Sequence, residues 1–166
     1  MSETARSRSA GYALEFERAQ DAFISFVSSL SDEQWRMVGK NHPQRLNDED
    51  EGRTVGVIAH HVAESERFIL DRIYAMLEGR TMPRVDFKTS NAAHAVKFAA
   101  VTQDDVIKLL RENRDPIAEA VAAIPDESLD QMRDTPVGPM SIAQRLERVL
   151  IGHLKQHQGS IQATIS

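Results

Sequence analysis

The chain contains no cysteine. This absence excludes disulfide bonds and any protein thiolate that could act as a metal ligand or nucleophile. No apolar run approaches the roughly 18 residues that a membrane-spanning helix needs, so we expect no membrane segment. Residues 1–9 lack the apolar stretch of a signal peptide. Together these absences predict a soluble, cytoplasmic protein.

Basic residues are also too few to predict a nucleic-acid-binding protein. Lys and Arg number 20 against 25 Asp and Glu, the net charge is -5, and the basic residues form no cluster. The hydrophobic fraction of 41% is ordinary for a globular protein. A chain of 166 residues is long enough for one well-packed core, so we predict a single domain over residues 1–166. A small molecule is then the expected partner.

Strand patterns are nearly absent, whereas helical periodicity appears four times. The four predicted helices cover residues 11–30, 54–78, 102–124 and 141–164. Thr54, Thr102 and Ser141 are the predicted N-caps, and Gly79 is a typical residue to end the second helix. Four long helices predict an all-α four-helix bundle.

Two connections in this bundle are predicted to be long. The polar stretch 39–53 includes the acidic run Asp48–Glu51, which we interpret as a solvated linker. Residues 80–102 form a crossover between the second and third helices, with a short helix expected near residues 92–100. Connections of this length inside a compact domain are often functional.

Three histidines are predicted to point towards the core from two helices. His153 and His157 are four residues apart, so a helix places their rings on one face with their Cβ atoms about 5–6 Å apart. On a helical wheel both fall within the apolar stripe of the last helix. On the second helix, His61 falls at the border of the apolar face and His60 nearly opposite it. We therefore expect His61 to point inward and His60 to face solvent.

A metal site is the interpretation that these histidines favour together. Either residue of the last helix, taken alone, is better interpreted as an ordinary core histidine bonded to a neighbour. Three inward-facing imidazoles can share one divalent ion and leave coordination positions open, which is typical of catalytic sites. The motif is not the zinc-protease helix, because Leu154 lies where that motif needs a general-base Glu.

Four other residues are secondary candidates. Glu66 lies on the core side of its helix, where it could orient a metal-bound imidazole or form an interhelical salt bridge. Glu64 is expected at the surface. His94, in the crossover, is interpreted as a surface or loop-packing histidine, with an extra ligand or substrate-binding group as the alternative. Trp35 is expected to fill the core.

At these residues the chain resembles the DinB-like (damage-inducible) four-helix-bundle superfamily of proposed metalloenzymes. The resemblance rests on Thr54–Glu66 (TVGVIAHHVAESE), on His153-x-x-x-His157 with the following Gln-Gly-x-Ile, and on the shorter segments Leu30–Trp35 and Asn91–Ala95. Ser160 departs from the family pattern, in which Gln often precedes that Ile.

The resemblance implies a fold, a metal and a set of activities. It implies one divalent metal ion, often nickel or zinc, held by one histidine of the second helix and two of the last, which correspond to His61, His153 and His157. It also implies a homodimer. Similar proteins include bacterial thiol-dependent S-transferases and a mycothiol-dependent maleylpyruvate isomerase.

Two reaction classes and one non-catalytic role remain open from the sequence. A divalent ion can lower the pKa of a bound water, which predicts a hydrolase, or hold a thiolate, which predicts an S-transferase or isomerase. In the second case a low-molecular-weight thiol must be supplied as a cofactor, because the chain has no cysteine. The resemblance slightly favours the thiol chemistry. The alternative is a non-catalytic helical bundle that works through a dimer interface or a small ligand and binds metal only incidentally.

Overall fold

The computed structural model describes residues 6–39 and 52–166. The first five residues, most of the predicted loop with its acidic run, and His42 lie outside this description. Within it, none of the helices is both long enough and apolar enough to cross a lipid bilayer.

The described chain is mostly helical, which confirms the all-α prediction. The α-helices are α1 (Arg8–Ser28), α2 (Asp32–Arg36), α3 (Val55–Glu78), α4 (Phe87–Lys97), α5 (Gln103–Ala122), α6 (Ile142–Arg145) and α7 (Gly152–Ile165). A π-helical turn (Leu146–Ile151) joins α6 to α7, so these three segments make one long C-terminal helix. A 3-10 turn (Asp126–Ser128) follows α5, and a short antiparallel hairpin pairs β1 (Met132–Arg133) with β2 (Met140–Ser141).

The helix ends lie where the capping residues predict them. The side chain of Thr54 accepts a hydrogen bond from the Val57 N–H at the start of α3, and Gly79 ends that helix in the left-handed conformation with φ 67°. Thr102 and Ser141 each form a capping box at the start of α5 and α6, respectively. In each box, side chains accept hydrogen bonds from two backbone N–H groups. Local sequence therefore determines where α3, α5 and the C-terminal helix begin. α1 begins at Arg8, three residues before the predicted start, because the Ser7 side chain accepts a hydrogen bond from the Ala10 N–H and caps the helix.

Four long helices pack around one apolar core. α1 lies against α5, α3 lies against α5 and α7, and α1 also contacts the C-terminal helix. Fully buried residues such as Phe16, Phe23, Ile58, Leu110 and Leu150 fill the space between them. The predicted four-helix bundle is the observed architecture.

The predicted long crossover connects α3 to α5 and carries α4. This helix begins at Phe87, five residues before the predicted start, and its first turn is capped by the Asp86 side chain. α4 contacts α3. The crossover therefore adds a fifth helical surface beside the bundle, and this surface covers part of α3.

Trp35 on α2 packs against the beginning of α3, where Gly56 allows close approach. Its ring is half-buried against the core, and its Nε1–H donates to the Val101 carbonyl at 3.0 Å. A Cβ atom placed on Gly56 would lie only 2.6 Å from Trp35 Cε2 and Nε1. A side chain at position 56 must therefore displace the indole.

Gly56→Ala is expected to destabilise the fold by about 1–3 kcal/mol, because the added methyl group overpacks the site and strains the indole hydrogen bond. Gly11→Ala in α1 is the matched control, since a Cβ there meets no atom within 4 Å. That control should be neutral or stabilising by up to about 1 kcal/mol. Urea denaturation measures both, and equal stability of the two variants would refute the steric argument.

Candidate metal centre

Three imidazoles from two helices meet at one point in the bundle. His61 comes from α3, and His153 and His157 come from α7. Their ring centroids lie 5.1 Å (His61–His153) and 5.2 Å (His61–His157) apart, and the Nε2 atoms of His153 and His157 are separated by 3.0 Å. One ring nitrogen of each residue lies within 4.8 Å of the others. Small side-chain rotations would reduce the distances between these nitrogens to roughly 3–4 Å, which is the separation of neighbouring ligands around one zinc or nickel ion.

These three rings differ in exposure. His157 is fully buried, whereas His61 and His153 are half-buried. The helical wheels placed all three on or beside the apolar faces, and the structure agrees. The cluster is closed to solvent at His157 and accessible at His61 and His153. It therefore has room for a further ligand on the accessible side.

The π-helical turn immediately before α7 sets the direction of His153 and His157. At its end, the Gly152 N–H donates to the Glu147 carbonyl, five residues earlier instead of four. A Cβ atom on Gly152 would lie 3.0 Å from that carbonyl oxygen, so glycine eases the close approach. The extra residue in the turn rotates α7 relative to α6. Such turns are rare and occur often at functional sites.

His60 does not face solvent, so that prediction was wrong. The residue is only 7% exposed, its ring stacks on Phe98 with 3.8 Å between centroids, and its Nδ1 lies 2.8 Å from His94 Nε2. A wheel for one helix assigns one buried face, but α4 and the residues after it cover a second face of α3. Burial lowers the pKa of His60 and of His94, with the Glu64 carboxylate acting in the opposite direction on both.

His94 lies beside the three-histidine group and not at the surface. Its side chain is 8% exposed, and its ring centroid lies 5.8 Å from that of His61. Its Nε2 approaches Glu64 Oε2 at 3.3 Å in addition to His60 Nδ1. Glu64 is exposed, as predicted, yet it contacts this buried ring.

Sequence similarity identifies the family of this chain. A family model for the DinB superfamily matches residues 15–161, which is most of the chain. The chain belongs to the DinB superfamily. No curated protein sequence matches it significantly. The match confirms the resemblance that the histidine helices suggested.

In this DinB superfamily protein, Glu66 is buried on the core side of α3, as the wheel predicted. Its carboxylate accepts hydrogen bonds from Gln20 Nε2 on α1 and from Asn113 Nδ2 on α5, each at 3.0 Å. These partners are amides, and the hydrogen bonds found for the carboxylate among the described residues include neither an imidazole of the three-histidine group nor an arginine. Burial raises the pKa of Glu66 to about 7, although both hydrogen bonds oppose the rise. Glu66 therefore belongs to a polar network inside the bundle.

A cleft of about 250 Å³ opens beside the histidines of this DinB superfamily protein. His61 and His153 line it, together with apolar side chains that include Phe68, Phe87 and Val149. Two arginines of the C-terminal helix, Arg145 and Arg148, complete the lining.

Arg145 is the most deeply buried of the cleft residues that sequence reasoning missed, which also include Arg148, Phe68 and Phe87. It is 8% exposed, and among the described residues no hydrogen-bond acceptor reaches its Nε. Burial, and to a smaller extent the Arg72 guanidinium, lower the pKa of Arg145. Its position in the sequence could have indicated this burial, because Arg145 lies three residues after Ile142, at the edge of the apolar stripe of the last helix. Among the described residues no carboxylate influences the pKa of Arg145. A buried cation without such a partner is costly, and such costs concentrate at functional sites.

Proposed function

We propose that this DinB superfamily protein is a divalent-metal-dependent enzyme that acts on a small organic anion. The observation that carries the proposal is the convergence of His61, His153 and His157 beside a cleft that also contains the buried Arg145. The histidines would hold the ion, and the guanidinium would hold the negatively charged group of the substrate.

The donor set fits a divalent ion of intermediate softness. Imidazole suits zinc and nickel, and the three-histidine group contains neither thiolate nor carboxylate. A divalent cation bound there keeps its full charge, and it lowers the pKa of a water molecule or a thiol placed beside it. Neutral imidazoles are the required ligand form.

Chain residues around the cleft would select and orient the substrate. Arg145 and Arg148 offer guanidinium groups that recognise carboxylate or phosphate in a planar, two-point geometry. Phe68 and Phe87 provide apolar walls that would exclude water from the bound molecule. This lining favours an organic acid with an apolar body over a sugar or a peptide.

Thiol transfer or thiol-assisted isomerisation is the favoured reaction class, and metal-dependent hydrolysis is the second. The family resemblance includes thiol-dependent enzymes, which supports the first class. A chain without cysteine would take its thiol from a low-molecular-weight cosubstrate. Both classes would use the same three histidines and the same arginine.

Metal analysis of tag-free protein tests the proposal. We expect at least one equivalent of zinc or nickel per chain, and loss of one equivalent in His61→Ala and in His153→Ala. Lys155→Ala is the matched control, because that residue is exposed on the same helix between the two ligands. Elemental analysis after gel filtration measures the content. Metal-free wild-type protein that gains no stability from added zinc or nickel would support the non-catalytic alternative.

Activity screening then separates the reaction classes. Wild-type protein should convert electrophilic organic acids in the presence of a low-molecular-weight thiol, or hydrolyse their esters and amides without one. Either activity should fall by at least about 100-fold in His153→Ala, since even residues that only orient metal ligands contribute 10–100-fold. An activity that persists in that variant would exclude the three-histidine site as its origin.

A further inference from the structure

We propose that His60, Glu64 and His94 form a second divalent-cation site, distinct from the three-histidine site. His60 Nδ1 and His94 Nε2 are 2.8 Å apart, and His94 Nε2 is 3.3 Å from Glu64 Oε2. All three potential ligand atoms lie within 4.8 Å of one another. Two of the ligands come from consecutive turns of α3, and the third comes from α4 in the crossover.

The distances match those between ligands of one small cation. Bonds of about 2.0–2.2 Å to nitrogen and oxygen place neighbouring ligands roughly 2.8–3.6 Å apart, for octahedral or tetrahedral angles. The two imidazole nitrogens face each other at close range, and at most one proton can lie between them. A cation at this point would accept both lone pairs and the carboxylate charge together. Two imidazoles and one carboxylate suit zinc, nickel, cobalt or iron in the divalent state.

The surroundings hold the imidazoles in place before any ion arrives. The ring of Phe98 stacks on His60 and lies 4.8 Å from the His94 centroid. The His94 side chain is 8% exposed, and its Nδ1 is buried without a hydrogen-bond partner among the described residues. The side chain of Glu64 is 53% exposed, which leaves an open direction for ion entry and for water ligands.

The second site faces the same region as the first. Glu64 and His94 line a cleft of about 300 Å³ that shares His61, Phe68 and Phe87 with the cleft beside Arg145. A cation there would add positive charge to a region that already contains Arg145. It would also tie α4 to α3, so the crossover helix would be fixed over the cleft when the ion is bound.

Zinc binding to metal-stripped, tag-free, full-length protein tests this inference. Equilibrium dialysis with zinc alone should give two equivalents per chain for the wild type and one for His94→Ala. Glu64→Gln keeps the side-chain volume at an exposed position and should weaken one of the two equivalents by about 10-fold or more, by analogy with other metal-site losses. Glu112→Gln, an exposed glutamate on α5, is the matched control and should retain both equivalents.

The variants also separate this inference from the proposed function. One equivalent in His153→Ala and one in His94→Ala would support two independent sites. One equivalent in His153→Ala with none in His94→Ala would refute the three-histidine site and retain the second. If the wild type binds a single equivalent that His94→Ala leaves unchanged, the second site does not exist. Loss of both equivalents in folded His94→Ala, with Glu64→Gln unaffected, would make His94 a ligand of the first site and overturn the inference.

Discussion

Replacing Arg145 with methionine is expected to stabilise the fold and to weaken anion binding at the same time. Arg145 is 8% exposed, its Nε has no acceptor among the described residues, and the nearby Arg72 adds a like charge. Removing a poorly compensated buried charge in favour of an apolar side chain of similar length is typically stabilising by about 1–4 kcal/mol. The same change removes the donors that would bind an anion.

The loss of affinity should be large because hydrogen bonds to charged groups contribute about 1.5–3 kcal/mol each. For an aromatic carboxylate such as benzoate, which matches the guanidinium and the phenylalanine walls, we expect Arg145→Met to weaken binding by roughly 10–100-fold. Arg145→Lys should recover part of it, since it keeps the charge but not the planar fork. Binding is measured by calorimetry, and stability by urea denaturation in anion-poor buffer.

Arg111→Met on α5 is the control for this pair of effects, because Arg111 is exposed and outside the cleft. It should change neither stability nor affinity by more than about 0.5 kcal/mol. A less stable Arg145→Met protein would indicate that the guanidinium supports the fold. Unchanged anion binding in that variant would remove the argument for an anionic substrate.

Substituting Glu66 with glutamine is expected to abolish a pH dependence of stability. Burial raises the pKa of this carboxyl in the folded protein from its ordinary value of 4.5 to about 7. Below pH 4.5 the group is protonated in both the folded and the unfolded chain. Between pH 4.5 and 7 the unfolded chain releases the proton while the folded chain retains it, so stability falls as pH rises. The total loss is roughly 3 kcal/mol, and it is complete above pH 7.

Glutamine fits the Glu66 position because the neighbouring amides can adapt. Gln20 Oε1 is buried and has no hydrogen-bond partner among the described residues, and a half-turn of that amide would present it to an N–H donor at position 66. Asn113 Nδ2 could still donate to the remaining oxygen. The variant should therefore be within about 1 kcal/mol of the wild type at pH 5 and exceed its stability by roughly 3 kcal/mol at pH 8.

Denaturation of chelator-treated wild type and Glu66→Gln at pH 5 and pH 8 measures this difference. Contributions from the histidines cancel, since both proteins carry them. Glu119→Gln, an exposed position on α5, should show the same stability difference from wild type at both pH values. A Glu66→Gln effect that does not change with pH would mean that the carboxyl titrates at its ordinary value in the folded protein.

The prediction from sequence was most successful where the determining contacts are local. Thr54 and Gly79 bound α3 as expected, because capping depends on residues within one turn. Periodicity also predicted that the Glu66 and His157 side chains point into the core, because one face of each helix meets the core. His60 failed for the opposite reason, since α4 creates a second buried face that the periodicity of α3 does not record.

The π-helical turn shows a different limit. A helical wheel at 100° per residue treats residues 142–164 as one regular α-helix. In the structure, Leu146–Ile151 form a π-helical turn, which contains about one more residue per turn than an α-helix. Periodicity still placed His153 and His157 together, because both follow the turn. Their direction relative to Arg145, which precedes it, depends on the turn and could not be predicted from the wheel.

Composition and local patterning establish the long helices, the capped ends of α3, the shared face of His153 and His157, and the lack of a protein thiol. Each of these depends on composition or on residues within about four positions of one another. Packing between the helices establishes which imidazoles converge, why Arg145 is buried, and that His60 pairs with His94, 34 residues away. The reason is physical: these contacts arise from packing between elements that are distant in the chain, where burial and partner geometry depend on all the helices together.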